Sequence, residues 1–190
     1  MSVPTVPPRP RRADAQRNHE RVLRAAGEVL SERGLEAGVD EVAARAGVGK
    51  ATVYRSFPTK ELLVAAVACE RLRWLEELTV EAARSDDPWA AFGELLRTMA
   101  EAKAGNRIFS VIMASVRELP DVRRAQTDST AAMERLMRRA KVQGAMRADA
   151  TPRDVHVLFA GVARMLAEEG ETDPAVWRRH AELIVAAVRA

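Results

Sequence analysis

Hydrophobic positions along most of the chain recur at the helical spacing i, i+3, i+4 and i+7, and no stretch alternates apolar and polar residues long enough to argue a strand. Val22, Leu23, Ala26, Val29 and Leu30 form the first stripe, predicting a helix over about residues 15–33 with Asp14 as N-cap and Gly34 ending it. A short helix is expected over Val39–Ala46, with Val39, Val42, Ala43 and Ala46 on one face. Gly47-Val48-Gly49 then makes a tight turn. A second short helix, Lys50–Ser56, carries Val53 inward, with Phe57 just past its end.

Beyond Pro58 the periodic segments lengthen. Helices are expected over residues 60–85, 88–104, 107–118, 122–143, 152–169 and 174–189. Pro58, Pro88, Pro120, Pro152 and Pro174 each fall in a break between segments, because the residue before a proline resists helix. The expectation is an all-α fold of about nine helices: three in a head and six in a body. Four of the nine prolines lie in the first ten residues, so residues 1–13 are expected to be a mobile, basic arm.

Composition narrows the class. The 190 residues are 47% hydrophobic and 30% charged, the balance of a soluble globular protein, and no run approaches the ~18–20 apolar residues of a membrane span. The first residues hold no apolar core of a secretory signal, so a cytoplasmic protein without membrane contact is expected. Cys69 is the single cysteine, which excludes an internal disulfide and thiolate zinc clusters. Net charge is +3, and residues 1–64, with 11 Lys/Arg against 8 Asp/Glu, carry all of that excess. The sign suits a polyanion partner.

The informative stretch is GLEAGVDEVAARAGVGKATVYRSFPTK, residues 34–60. Two short helices joined by a glycine-containing turn are the pattern of a helix-turn-helix. Small Ala43 and Ala46 allow close packing of the first helix, and Gly47 supplies a turn conformation that side chains resist. With Val48 and Val53 plugging the core, Lys50, Ala51, Thr52, Tyr54, Arg55 and Ser56 have faces turned outward. The N-terminal residues of a second such helix meet base edges, and Ala51 or Thr52 is small enough to touch a thymine methyl. Tyr54, Ser56 and Lys60 suit phosphate contacts, which set register without reading sequence.

From Ala43 to Glu61 the pattern AxxAGVGxATxYxxFPxKE resembles the DNA-binding head of the tetracycline-repressor (TetR) family of transcriptional regulators. The likeness extends over about residues 15–66. It implies that Lys50–Ser56 enters the major groove of double-stranded DNA, that Thr52 and Tyr54 contact DNA, and that Lys60 meets phosphate. Three positions depart from the family's commoner residues: Gly38 stands for a Ser/Thr cap, Gly49 for a frequent serine, and Ser56 for His or Tyr. The domains implied are an arm (1–13), a helix-turn-helix DNA-binding domain (14–60) and a helical effector-binding and dimerisation domain (61–190).

The resemblance also implies a homodimer on a palindromic operator, with its seam on the last two helices. Leu158, Phe159, Val162, Leu166, Leu183, Ile184, Ala187 and Val188 fit that seam, on stripes wide enough to face both their own core and a second subunit; a purely intramolecular core is the alternative. The segment DPAVWRRHAELIVAAVRA resembles the end of one branch of the family. A small apolar or amphipathic effector is expected between the fourth and seventh helices, where Trp74, Leu78, Phe92, Met99, Phe109, Met113 and Met137 lie. Methionine and aromatic residues make adaptable pockets, but a stripe of them at helical spacing is also ordinary core. The long fourth helix would be the lever between effector and head.

Other features read as plain structure. His19, His156 and His180 are not spaced as metal ligands, and Cys69 reads as a buried inert thiol rather than a redox sensor. Arg9, Arg11 and Arg12 stand open between a minor-groove arm and a solubilising tail. No HExxH, phosphate-cradling glycine loop, GxSxG or Cys/His array is present, so neither catalysis, a metal nor a cofactor is expected. A DNA-binding dimer whose filled body takes no effector is the alternative.

Overall fold

The computed structural model describes residues 11–104 and 109–190, with backbone alone for residues 11–13, 109 and 110. The residues of the expected arm up to Pro10 and the break at Gly105-Asn106 lie outside the described residues. Among those described there are nine α-helices and no strand: α1 (Arg11–Arg33), α2 (Val39–Ala46), α3 (Lys50–Ser56), α4 (Lys60–Ala82), α5 (Pro88–Lys103), α6 (Phe109–Val116), α7 (Pro120–Val142), α8 (Pro152–Glu168) and α9 (Pro174–Ala187). They fall into two compact units, one up to Val67 and one from Ala68. Sequence reading ends the head at Lys60. Leu63 and Val64 in the first turn of α4 are buried beside Leu30, Val39 and Val42, so the head keeps that turn too.

Most ends lie where the sequence puts them, and the exceptions have local causes. α1 starts at Arg11, which places Asp14 in its first turn, paired with Arg17, rather than at its cap. An acid there still favours the helix through the macrodipole. α7 starts at Pro120 itself, two residues early, because a first-turn proline loses no hydrogen bond. α4 stops at Ala82: the next amides turn to tighter i−3 bonds, Arg84 to Glu81 (3.0 Å) and Ser85 to Ala82 (3.2 Å).

The caps that start α5, α8 and α9 are side-chain oxygens. Asp87 accepts from the amides of Trp89 (3.1 Å) and Ala90 (2.9 Å) to start α5. Thr151 and Asp154 exchange bonds in a capping box at α8, with Thr151 N–H reaching Asp154 at 2.8 Å and Asp154 N–H reaching Thr151 at 3.2 Å. Each such cap is worth about 1 kcal/mol.

The second unit is built around α5. This helix packs most extensively on α9 and next on α7, and α8 completes the layer against both α7 and α9. Phe92 and Leu96 of α5 and Leu136 and Met137 of α7 are fully buried at its centre. Each buries enough apolar surface to contribute ~2 kcal/mol or more. Trp177 of α9 is buried, and its indole N–H donates to the Glu171 carbonyl at 3.1 Å. A two-residue bridge fastens the C-terminal end: Arg147 N–H donates to Val188 and Ala190 N–H to Ala145, at 3.0 and 3.1 Å.

Candidate nucleic-acid interface

The α2–turn–α3 element is ordered by its glycine. Gly47 adopts φ 63°, ψ 39°, the left-handed region, and its N–H together with that of Val48 closes the C-terminus of α2 on Ala44 (3.1 Å) and Ala43 (3.0 Å). Arg21 of α1 clamps the same turn from outside, its guanidinium donating to the carbonyls of Ala46 (2.6 Å) and Gly47 (3.1 Å). At the other end of α2, Gly38 has no side chain to offer, and half of a capping box remains: Glu41 accepts the Gly38 N–H at 3.0 Å. The missing Ser/Thr thus costs the start of α2 little.

α3 is held by one buried plug. Val53 is 1% exposed, and Phe57 beyond the helix is buried with its ring stacked on His19 of α1, centroids 4.6 Å apart. Lys50, Ala51, Tyr54 and Arg55 are exposed, while Thr52 and Ser56 are half-buried. The six sequence-derived contact residues therefore share one short helix on which Val53 is the buried residue.

The two lysines are not idle. Lys50 Nζ lies 2.8 Å from a carboxylate oxygen of Asp40 on α2, and that hydrogen bond raises its pKa. Lys60 Nζ donates to the Leu35 carbonyl in the turn after α1. α1 and α2 are also tied by Arg45, which reaches Glu32 at 2.7 Å and Glu28 at 3.3 Å. The hydrogen bonds hold Glu32 below the usual carboxylate range and push Arg45 up. Sequence reading missed Arg21, Asp40 and the Arg45 cluster. Their partners lie 10 to 26 positions away, where no helical period points.

In the second unit, the residues expected to line an effector pocket separate. Phe92 and Met137 are fully buried in the common core, and Leu78 and Met99 pack partly buried against it. Trp74 and Met113 are half-buried, and the side chain of Phe109 lies outside the described residues. Arg71 stacks on Trp74 with its guanidinium carbon 3.7 Å from the ring centroid. Burial lowers the pKa of Lys103, assisted by the charge of Arg71.

The expected seam residues divide as well. Phe159, Leu166, Ile184 and Val188 belong to the unit's own core, and Val162 packs half-buried against it. Leu158 and Leu183 are 40% and 54% exposed, and Ala187 is exposed. Sequence reading missed Val157 and Met165 on the same side of α8, at 57% and 55% exposure.

A glycine turn between two short helices, with a small, polar and basic outer face on the second, defines a helix-turn-helix regulator. Residues 22–67 match the family model for bacterial regulatory proteins of the tetR family, and residues 87–190 match that for the C-terminal domain of SbtR-like transcriptional regulators. The chain belongs to the tetR family, and it is a transcriptional regulator rather than an enzyme. Among solved structures it is similar to the TetR transcription regulatory protein of Mycobacterium vanbaalenii, with 30% identity over 95% of this chain and 100% of that one, at TM-score 0.66. It is similar to the TetR regulator SCO0520 of Streptomyces coelicolor, with 25% identity over 90% and 98%, at TM-score 0.68. Thermus thermophilus FadR, a TetR-family repressor in complex with lauroyl-CoA, shares 23% identity over 88% and 93%, at TM-score 0.59. No curated protein matches the sequence. Among the described residues no helix is long and apolar enough to cross a membrane.

Proposed function

We propose that this regulator binds a palindromic operator as a homodimer, represses from it, and is released by a small apolar or amphipathic effector held in the body. The observation that carries the DNA-reading half is the outward face of α3. Val53 is the one buried residue of the helix, which leaves Ala51, Tyr54 and Arg55 exposed, Thr52 and Ser56 half-buried, and Lys50 exposed beside Asp40. Thr52 and Ala51 read base edges, Tyr54, Ser56 and Lys60 hold phosphates, and Lys50 and Arg55 add charge at the rim.

A lone head covers too little surface for tight specific binding, so two-fold pairing is expected. The exposed apolar side chains Val157, Leu158, Met165 and Leu183 on α8 and α9 support a seam there. Phe159, Leu166, Ile184 and Val188 would support it from beneath. An amphipathic effector is supported by the lauroyl-CoA complex of the Thermus protein, which shows that this fold can take such a ligand. The full burial of Phe92 and Met137 favours the second reading, a dimer with a filled body and no effector.

In vitro selection from random DNA with the full chain tests both readings. A palindrome with half-sites about one helical turn apart, or a multiple of it, is the expected product. Its release by an acyl thioester or another amphipath would support the effector, and resistance to all of them the filled body. Absence of any enriched sequence would overturn DNA reading by α3.

A further inference from the structure

The second unit carries no net charge as a whole, since residues 65–190 hold 19 basic and 19 acidic side chains. Yet its basic residues are not spread evenly. Arg135, Arg138 and Arg139 stand at i, i+3 and i+4 on α7, a spacing that puts them on one face. The opposite side of α7, with Ala132, Met133, Leu136 and Met137, is buried. Together with Arg84, just past the end of α4, they line a surface depression of about 330 Å³ whose apolar wall is Val80 and Ala83.

Two of the four guanidiniums are held and two are not. Arg139 donates to the Ala83 carbonyl, which fixes it at the C-terminal end of α4. Arg84 pairs with Glu81 at 2.8 Å, the one acid among the described residues bonded to a member of the cluster. Arg135 and Arg138 are exposed and make no ion pair with the described residues. Four guanidiniums and no carboxylate line the concave space.

We propose that this depression binds a small molecule carrying a diphosphate group. A single carboxylate would meet these exposed guanidiniums one at a time in high dielectric, where such a pair is worth little. A diphosphate presents several oxygens at once, and the planar guanidinium fork grips them two by two. The volume lies within the range of small-molecule sites, and Val80 and Ala83 give an apolar part of the ligand a surface. Concavity separates this site from a flat basic stripe along a polymer backbone. None of its lining residues belongs to the expected effector-pocket set or to the expected DNA-reading set.

Calorimetric titration of the full chain with pyrophosphate, ADP and inorganic phosphate tests it. Saturable binding of one diphosphate per chain is expected, with inorganic phosphate at least tenfold weaker. The double variant Arg135→Ala/Arg138→Ala should lose at least tenfold in affinity with an unchanged Tm. Arg123→Ala/Arg124→Ala, which removes two exposed cations elsewhere on α7, should leave it unaltered. ADP tighter than pyrophosphate would mark a nucleotide, and equal affinities the diphosphate alone. No saturable binding, equal losses in both double variants, or displacement of the anion by random duplex DNA would overturn the proposal. Operator binding measured on the same preparation keeps that failure distinct from failure of the DNA-reading role.

Discussion

The ammonium of Lys50 rests 2.8 Å from the carboxylate of Asp40, so the first residue of α3 enters any encounter with DNA already paired. To reach a base edge or a phosphate, Lys50 must exchange one anion for another. Asp40 itself, exposed on α2, adds a negative charge beside the approaching backbone. Asp40→Asn should therefore tighten binding to the selected operator. An exposed pair of this kind is worth about 0.2–1 kcal/mol, so the gain should be about two- to fivefold. Fluorescence anisotropy at fixed salt reads it. Unchanged affinity would mean that Lys50 makes no contact with the DNA that Asp40 competes for.

Lys60 is fixed by the Leu35 carbonyl through one of its three N–H donors, leaving the others for a phosphate. Lys60→Ala should weaken all DNA sequences alike and lower the salt slope by ~1 per half-site. A slope equal to that of the wild type would confine Lys60 to a structural role in the head.

Arg21 holds the turn on which α3 is aimed. Arg21→Met removes both bonds, to Ala46 and Gly47, while keeping much of the apolar stem. The expected loss is ~1–2 kcal/mol of unfolding free energy, with a larger fractional loss in operator affinity because the aim of α3 loosens. Gly47→Ala reaches the same turn through the backbone. A side chain at φ 63° costs ~1–2 kcal/mol, and the new Cβ would lie 3.1 Å from the Arg21 guanidinium. The Arg21→Met background should relieve the crowding part of that cost but not the backbone part. Chemical denaturation of the four proteins measures the difference.

The network of Arg45 with Glu32 predicts a pH signature. Because Arg45 depresses the pKa of Glu32 in the folded chain, the pairing stabilises fully above the unfolded-state pKa of Glu. That contribution fades as pH falls through the lower folded value. Glu32→Gln should thus lower Tm slightly near pH 7, and the gap from the wild type should close on acidification below about pH 4. A gap that widened in acid would reverse the assigned sign.

The chain shows its helices more openly than its site. Proline and aspartate at 87–88 and 173–174, and the Thr-Pro-Arg-Asp run at 151–154, signal their boundaries within four residues, so α5, α8 and α9 could be read directly. The glycine turn and the plug Val53 are equally local. Arg21, Asp40 and Arg139 are different, since each acts on a partner outside its own helix. Burial raised the same difficulty in α8 and α9. Period alone puts Phe159 and Leu158 on adjacent positions of one broad stripe, and only packing shows that the first is buried in the unit's core while the second is exposed.

That split yields a test of the proposed seam. Leu158 and Leu183 lie outside their own subunit's core cluster and are 40% and 54% exposed, so Leu158→Glu/Leu183→Glu should leave the monomer folded while placing charges in an apolar interface. The unpaired carboxylates would each cost several kcal/mol if buried against a partner, enough to shift the dimer to monomer at micromolar concentration. Phe159→Ala acts on the other side of the helix. It removes a buried ring and should cost ~3–5 kcal/mol of folding stability before any effect on association. Analytical ultracentrifugation beside thermal unfolding separates the two. A double glutamate variant that sediments like the wild type would move the seam away from α8 and α9. The exposed row Val157, Leu158, Met165 and Leu183 would then be open to a different partner.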